Sequence, residues 1–498
     1  MEALSPTDSA FLWLETRSQP MHLAGLNIYT PPSQEKHHVH HFLAGWRKHL
    51  TAHAPFNLRP VLKLGLWYWE EDGEFELDYH LRHVALPQPG RIRELLAMVS
   101  HLHGNLLDRN RPLWEAYVIE GLPGGRFATY IKMHHALIDG VAGARLMVRS
   151  MSTDPHQSTP PIWAQPRARR VRADKADGSA LEKLQSAYNT AKQMGSQVLP
   201  GIGAGLWDML EGLQAQTKAA RAFQAPPTLF NVEISGSRRF AAQSYSLARL
   251  KAIGAASGAT INDVTLAICA GALRRYLLAH DKLPKAPLVA MVPVSLREGP
   301  DAAGNQVSLL LANLCTHVAD PLKRLQRIVE STKAAKERLS CMPRLQKMAH
   351  GMTTIAPLGP GMLTGSARKY PVFNVVISNV PGPQETLYLD GARLDEVYPL
   401  SIPTHYLALN ITISGYGDHL GFGFIACRRS VPSLQRLLDY TDATIHELEA
   451  ALHKPTPAKR AGAPRQSAGT LKPTRPAKRA SKTATPAPRR SRAGPQQP

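Results

Sequence analysis

The stretch from Phe127 to Ser150 limits the possible folds more than any other part of this chain. Pro123-Gly124-Gly125 marks a turn, and Phe127 to His135 is rich in β-branched and aromatic residues, which predicts a strand. Val141 to Ser150 reads as a helix, with Asp139 at the position of an N-cap. Strand side chains alternate between faces. Phe127, Thr129, Ile131, Met133 and His135 therefore share one face, and Ala128, Tyr130, Lys132 and His134 the other. The adjacent histidines must point apart, so one site would not use both as equals. His135 falls on the more apolar face, where desolvation disfavours imidazolium and keeps a free base available. Gly140 permits an unusual backbone or the close approach of a substrate.

A neutral imidazole held near a carboxylate is the usual means of taking a proton from a hydroxyl at neutral pH. The same letters also suit a purely structural pair followed by a capped helix. A metal site is a third reading, but adjacent strand histidines diverge and no further His or Cys lies nearby at ligand spacing, so no metal is expected.

Taken together, His134-His135-xxx-Asp139-Gly140 resembles the HHxxxDG motif of the CoA-dependent acyltransferases, shared with peptide-synthetase condensation domains. Further segments resemble bacterial wax ester synthase/diacylglycerol acyltransferases. These are Leu4-Ser5-Pro6-Thr7-Asp8-Ser9 with Phe11-Leu12, Pro20-Met21-His22, Pro112-Leu113-Trp114 (PLW) and Asn262-Asp263 (ND). Val292 to Arg297, Gly304-Asn305-Gln306 and Ser378-Asn379-Val380-Pro381-Gly382-Pro383 also fit, in the family's order, over about residues 1 to 453.

The resemblance implies a mixed α/β fold of two chloramphenicol-acetyltransferase-like domains with an active-site tunnel between them. It also implies transfer of a fatty acyl group from acyl-CoA, a substrate rather than a cofactor, to a long-chain alcohol or diacylglycerol. His135 would be the general base. Asp139 would hold its loop, with Arg297 a candidate partner. Asn262 would be a candidate oxyanion donor or, equally, the N-cap of the following helix. His134, Gly140 and Asp263 would line the substrate site; Pro112, Leu113 and Trp114 would shape the acyl pocket or the domain packing; Asn379 would lie near the substrate or simply open a rigid turn. Alternatives are a condensation-domain-like acyltransferase, or a non-catalytic protein of lipid inclusions or nucleic acid acting through a basic tail.

That tail carries much of the net charge of +21: Lys454 to Pro498 holds 12 Lys/Arg and no acid. Built of Ala, Pro, Lys, Arg, Ser and Thr, it buries too little apolar surface to offset its ordering entropy and is expected to be disordered. It could engage anionic lipid or nucleic acid non-specifically, or remain simply solvated. Cys269, Cys315, Cys341 and Cys427 are scattered without a CxxC pair, which suits a reducing compartment. No run of about 18 apolar residues occurs, so membrane contact, if any, is expected to be peripheral: a cytoplasmic protein at the inner membrane face or at lipid inclusions.

The expected domains are residues 1–155 and 233–453, joined by a linker with connecting helices over 156–232 and followed by the tail, 454–498. In the first domain, Leu26–Thr30, Val61–Glu71 and Leu113–Glu120 read as further strands, and Lys36–His53 and Arg91–Leu107 as helices. Within the linker, Leu206, Leu210 and Leu213 fall at helical spacing, as in a helix packed on the protein or at a membrane interface. The second domain is read as helices at Asp263–Ala279, Pro321–Leu339 and Val431–Leu452 among five strands.

Overall fold

The computed structural model describes residues 1–32, 37–165, 223–295 and 307–453. The basic tail, the 206–217 helix, Arg297 and Gly304-Asn305-Gln306 lie outside the described residues.

The motif strand is β7 (Phe127–His134), fully buried along its length. It lies between β2 (His22–Thr30) and β6 (Trp114–Glu120), both antiparallel to it. The strand β5 (Leu81–Ala85) adds in parallel to β6. The other edge comes from the second half of the chain: β13 (Ala392–Leu400) pairs antiparallel with β2, and β12 (Tyr388–Leu389) with β13. The sheet order is thus β12-β13-β2-β7-β6-β5. A second sheet runs β10-β9-β11-β14-β15-β8, from β10 (Val307–Asn313), β9 (Val289–Ser295), β11 (Val375–Val380), β14 (Leu409–Tyr416), β15 (His419–Cys427) and β8 (Arg238–Ser246). A small third sheet joins β1 (Glu2–Ala3), β4 (Leu66–Glu71) and β3 (Leu58–Lys63).

The two halves form one compact unit, Met1–Lys454. A shared core explains this: Leu26, Tyr130, Leu95 and Val99 of the first half pack with Phe240, Ile425 and Tyr398 of the second. Two glycines let the sheets touch at backbone level. A Cβ on Gly421 would lie 2.1 Å from the Val397 carbonyl oxygen, and one on Gly423 2.2 Å from that of Pro399. Any side chain there would push β13 off β15.

Three sequence expectations change. The strand expected over Val61–Glu71 is a hairpin, because Leu64 (φ 51°) and Gly65 (φ 77°) reverse the chain. The helix expected over Lys36–His53 is His38–Arg47. The interdomain linker is not free at its ends: Trp163 is buried against Trp114, and Phe230 sits in the second core.

Candidate functional site

The site is built at the end of β7. His134 and His135 diverge as strand geometry requires. The helix Gly140–Arg149 starts just beyond, and Asp139 caps it: Oδ1 accepts from the amides of Val141 (3.0 Å) and Ala142 (2.9 Å). Replacing Asp139 with alanine is expected to lose this cap, destabilising the fold by ~0.5–2 kcal/mol. The measurement is a lower urea midpoint at unchanged m-value.

His135 is half-buried, and its backbone N–H donates to Met21 O at 2.9 Å. Its ring stacks on Phe11, centroids 4.1 Å apart and 16° from coplanar. Its Nδ1 is out of solvent and without a hydrogen bond among the described residues. Desolvation dominates its titration and pushes the imidazole down to about 4, against the opposing pull of the Asp139 charge. The ring is therefore neutral at neutral pH.

Phe11 belongs to the N-terminal helix Pro6–Leu14, which the Ser5-Pro6-Thr7-Asp8 sequence starts. Ser5 Oγ accepts from the Asp8 amide, and Pro6 at the first helical position has no N–H to leave unpaired. Burial raises the Asp8 carboxyl above its usual range, and the charge of Asp139 adds to this, so the helix start and the motif loop sense one another.

His134 is completely buried on the other face. Its Nδ1 accepts from the Ala136 amide (3.1 Å), and its Nε2 lies 3.4 Å from Glu15 Oε1. Glu15 also accepts from the Met21 amide and from both Nε and an Nη of Arg109, each at 3.1 Å. Burial alone would raise the Glu15 carboxyl, but His134, Met21 and Arg109 outweigh it and hold it below its usual range. His134 thus anchors the strand and is not placed to line a substrate site, which corrects the sequence expectation.

For Leu113 and Trp114 the acyl-pocket reading is corrected to packing. Both have no exposed surface, and Pro112 is buried beside them. Leu113 O accepts the His134 amide at 2.9 Å, so the motif sets the height of the histidine pair. Trp114 stacks on His80 and Trp163, and its Nε1–H donates to Phe56 O at 2.8 Å. Gly140 has no left-handed φ; it opens the motif helix, exposed, and a Cβ there would meet only Leu23 at 4.0 Å. The glycine leaves open space and does not serve an unusual backbone.

The ND pair separates. The N-cap of the helix Ile261–Leu278 is Thr260, with Asp263 completing a capping box. That overturns the N-cap reading of Asn262. Asp263 is buried and spent on Thr260 through one oxygen and on Thr332 Oγ1 (2.7 Å) through the other. It holds two helices together, which replaces its expected substrate role. Asn262 is half-buried one residue before it, with no side-chain hydrogen bond among the described residues; none joins it to His135. Asn379, on β11 opposite Ile413, is likewise half-buried, with no side-chain hydrogen bond among the described residues. The turn that follows is tight: a Cβ on Gly382 would lie 1.7 Å from Gly415 O.

Sequence reasoning missed Phe11, Glu15 and Arg109. The first two come from one segment, Phe11 inside the N-terminal helix and Glu15 as its C-cap, and meet His135 and His134 respectively.

This arrangement has known counterparts. Residues 4–265 match the wax ester synthase/diacylglycerol acyltransferase catalytic domain, and residues 303–449 the C-terminal domain of the same proteins. The chain belongs to the wax ester synthase/diacylglycerol acyltransferase family. It is 44% identical over 468 residues to the probable diacylglycerol O-acyltransferase tgs2 of Mycobacterium tuberculosis, covering 91% of this chain and 100% of that one. The O-acyltransferase WSD of Acinetobacter baylyi is 42% identical, covering 91% and 98%. Among solved structures, the family member from Marinobacter aquaeolei VT8 superposes with a TM-score of 0.72 at 41% identity, over 90% of this chain and 99% of that one. The first condensation domain of the CDA synthetase shares the fold (TM-score 0.59, 15% identity, 91% and 96% covered). The mixed α/β architecture of two chloramphenicol-acetyltransferase-like halves is thus that of the family.

Proposed function

We propose that this chain moves a fatty acyl group from acyl-CoA to the hydroxyl of a long-chain alcohol or diacylglycerol, forming wax ester or triacylglycerol. Family membership supports the reaction class. The observation that carries the mechanism is the neutral His135 ring stacked on Phe11 beside the Asp139 cap.

In this reading Nε2 takes the hydroxyl proton as the alcohol oxygen attacks the thioester carbonyl. The C–S bond then breaks and the imidazolium returns the proton to the departing thiolate. The depressed basicity of His135 keeps the ring unprotonated and makes its imidazolium a strong acid towards the departing thiolate, while leaving it a weaker base for the first step. No acyl-enzyme is required, since both substrates are held in line. Asn262 and Asn379, whose side-chain amides make no hydrogen bond among the described residues, are the candidates for stabilising the tetrahedral oxyanion. The substrates would meet in a tunnel between the halves. The N-terminal segment supports this placement, because it spans both: Gln19 Oε1 accepts from the His405 amide (2.7 Å), and Arg238 donates to Ser18 O (2.9 Å).

The test is release of free CoA from palmitoyl-CoA by purified protein with hexadecanol or with diacylglycerol. Acceptor-dependent release is the expected result; release indifferent to both acceptors would refute the proposal.

A further inference from the structure

The β3–β4 hairpin ends in Leu62-Lys63-Leu64-Gly65-Leu66. Lys63 pairs with Leu66, so Leu64 and Gly65 form a two-residue turn with both φ angles positive. Such turns favour Asn-Gly, because a branched side chain is strained there. Here the position holds leucine, and Leu64 is 104% exposed, with Leu66 at 60%. Local conformation and water both disfavour this residue, and no packing among the described residues covers it.

The tip is not isolated. Trp13, 57% exposed on the N-terminal helix, packs edge-on against Trp67, ring centroids 5.6 Å apart, and Trp67 pairs with Leu62. Exposed Met1 reaches Lys63 Nζ (3.3 Å). Trp67 then joins a small apolar cluster with Leu12, Leu113 and Ala136, against which Phe11 packs. Phe11 is the ring stacked on His135. A continuous apolar path therefore runs from the exposed tip to the proposed base.

We infer that this face, the Leu62–Leu66 tip with Trp13, docks on an anionic phospholipid surface and inserts the leucines into it. The inference rests on the proposed function for its purpose: acceptor and product of that reaction reside in lipid. A turn tip is convex, which suits a yielding phase. The net charge of +21 complements an anionic one, whereas at the hairpin itself Lys63 pairs with Glu70 (3.5 Å), so insertion of the leucines and not local charge is what holds the tip. Trp13, an amphipathic ring beside the leucines, suits the interface.

The test is flotation of the full chain with phosphatidylglycerol-containing vesicles in high salt, which screens purely electrostatic attachment. Wild-type protein should float, and the double variant L64N/L66N should lose ~10-fold or more of its partition, since each leucine gives up its transfer from water. L64N should fold at least as well as wild type, because asparagine suits the turn. L363N, which alters a leucine 91% exposed elsewhere, should bind like wild type. Equal flotation of wild type and L64N/L66N, or no wild-type flotation in high salt, would overturn the inference. So would a wild-type dimer that L64N/L66N dissolves, which would give the tip to a second copy. Flotation needs no turnover: an inactive protein whose vesicle binding still depends on the leucines would sink the catalytic reading alone.

Discussion

Exchange of His135 for alanine is expected to cut acceptor-dependent CoA release by ~10²- to 10⁴-fold, the range spanned by general-base catalysis. His135→Gln should show the same loss while keeping a polar side chain of similar reach against Phe11. Both variants should fold. The imidazole is half-buried, and its Nδ1 makes no hydrogen bond among the described residues, so no buried partner is orphaned by its removal. The KM for acyl-CoA should hardly move, because the base acts on the acceptor hydroxyl. A variant that retains turnover would leave the ring as packing for Phe11.

The second large effect concerns stability. Trp114→Ala is expected to cost about 3–5 kcal/mol, the usual range for truncating a fully buried tryptophan. The ring has no exposed surface and fills the space between Phe56, His80 and Trp163. Its loss also orphans the Phe56 carbonyl. The measurement is thermal or urea unfolding. In the fraction that stays folded, KM for acyl-CoA should be unchanged, because Trp114 packs the core and does not line the substrate. A raised KM in a protein of wild-type stability would restore the acyl-pocket reading.

These contrasts show what was legible in the sequence. Divergence of the two histidines, the Asp139 cap and the hairpin Leu113–His135 follow from short-range rules, and the structure has all three. The partners of those residues come from afar. Glu15 meets His134 and Arg109 across long chain separations, and no local pattern encodes that contact. Trp114 resembled a pocket residue because a motif gives a residue's identity and not its burial. The strand β13 went unread because its alternation fails: a register shift falls between Leu394 and Glu396, and Pro399 argues against a strand. Yet β13 is the edge by which the second half completes the first sheet. Of the two readings of Asn262, the cap fails because Thr260, two residues earlier, is the better one.

Burial of neutral imidazoles has a further consequence. Desolvation lowers His80 to about 4, His103 to about 3 and His135 to about 4, all from 6.5. Below pH 6.5 the unfolded chain therefore binds more protons than the folded one, so stability rises with pH in this window. Stability should be complete above pH 6.5 and decline as pH falls from there towards 4. Urea midpoints at neutral and at mildly acidic pH will show it.

The most direct measurement of the central claim is the pH dependence of kcat/KM for acyl-CoA turnover between about pH 5.5 and about pH 8, where the enzyme stays folded. A base that loses its proton at about 4 predicts an acid side that is flat across that range. A limb with its midpoint near 6.5, falling about tenfold per pH unit below it, would mean an ordinary solvated imidazole and contradict the account.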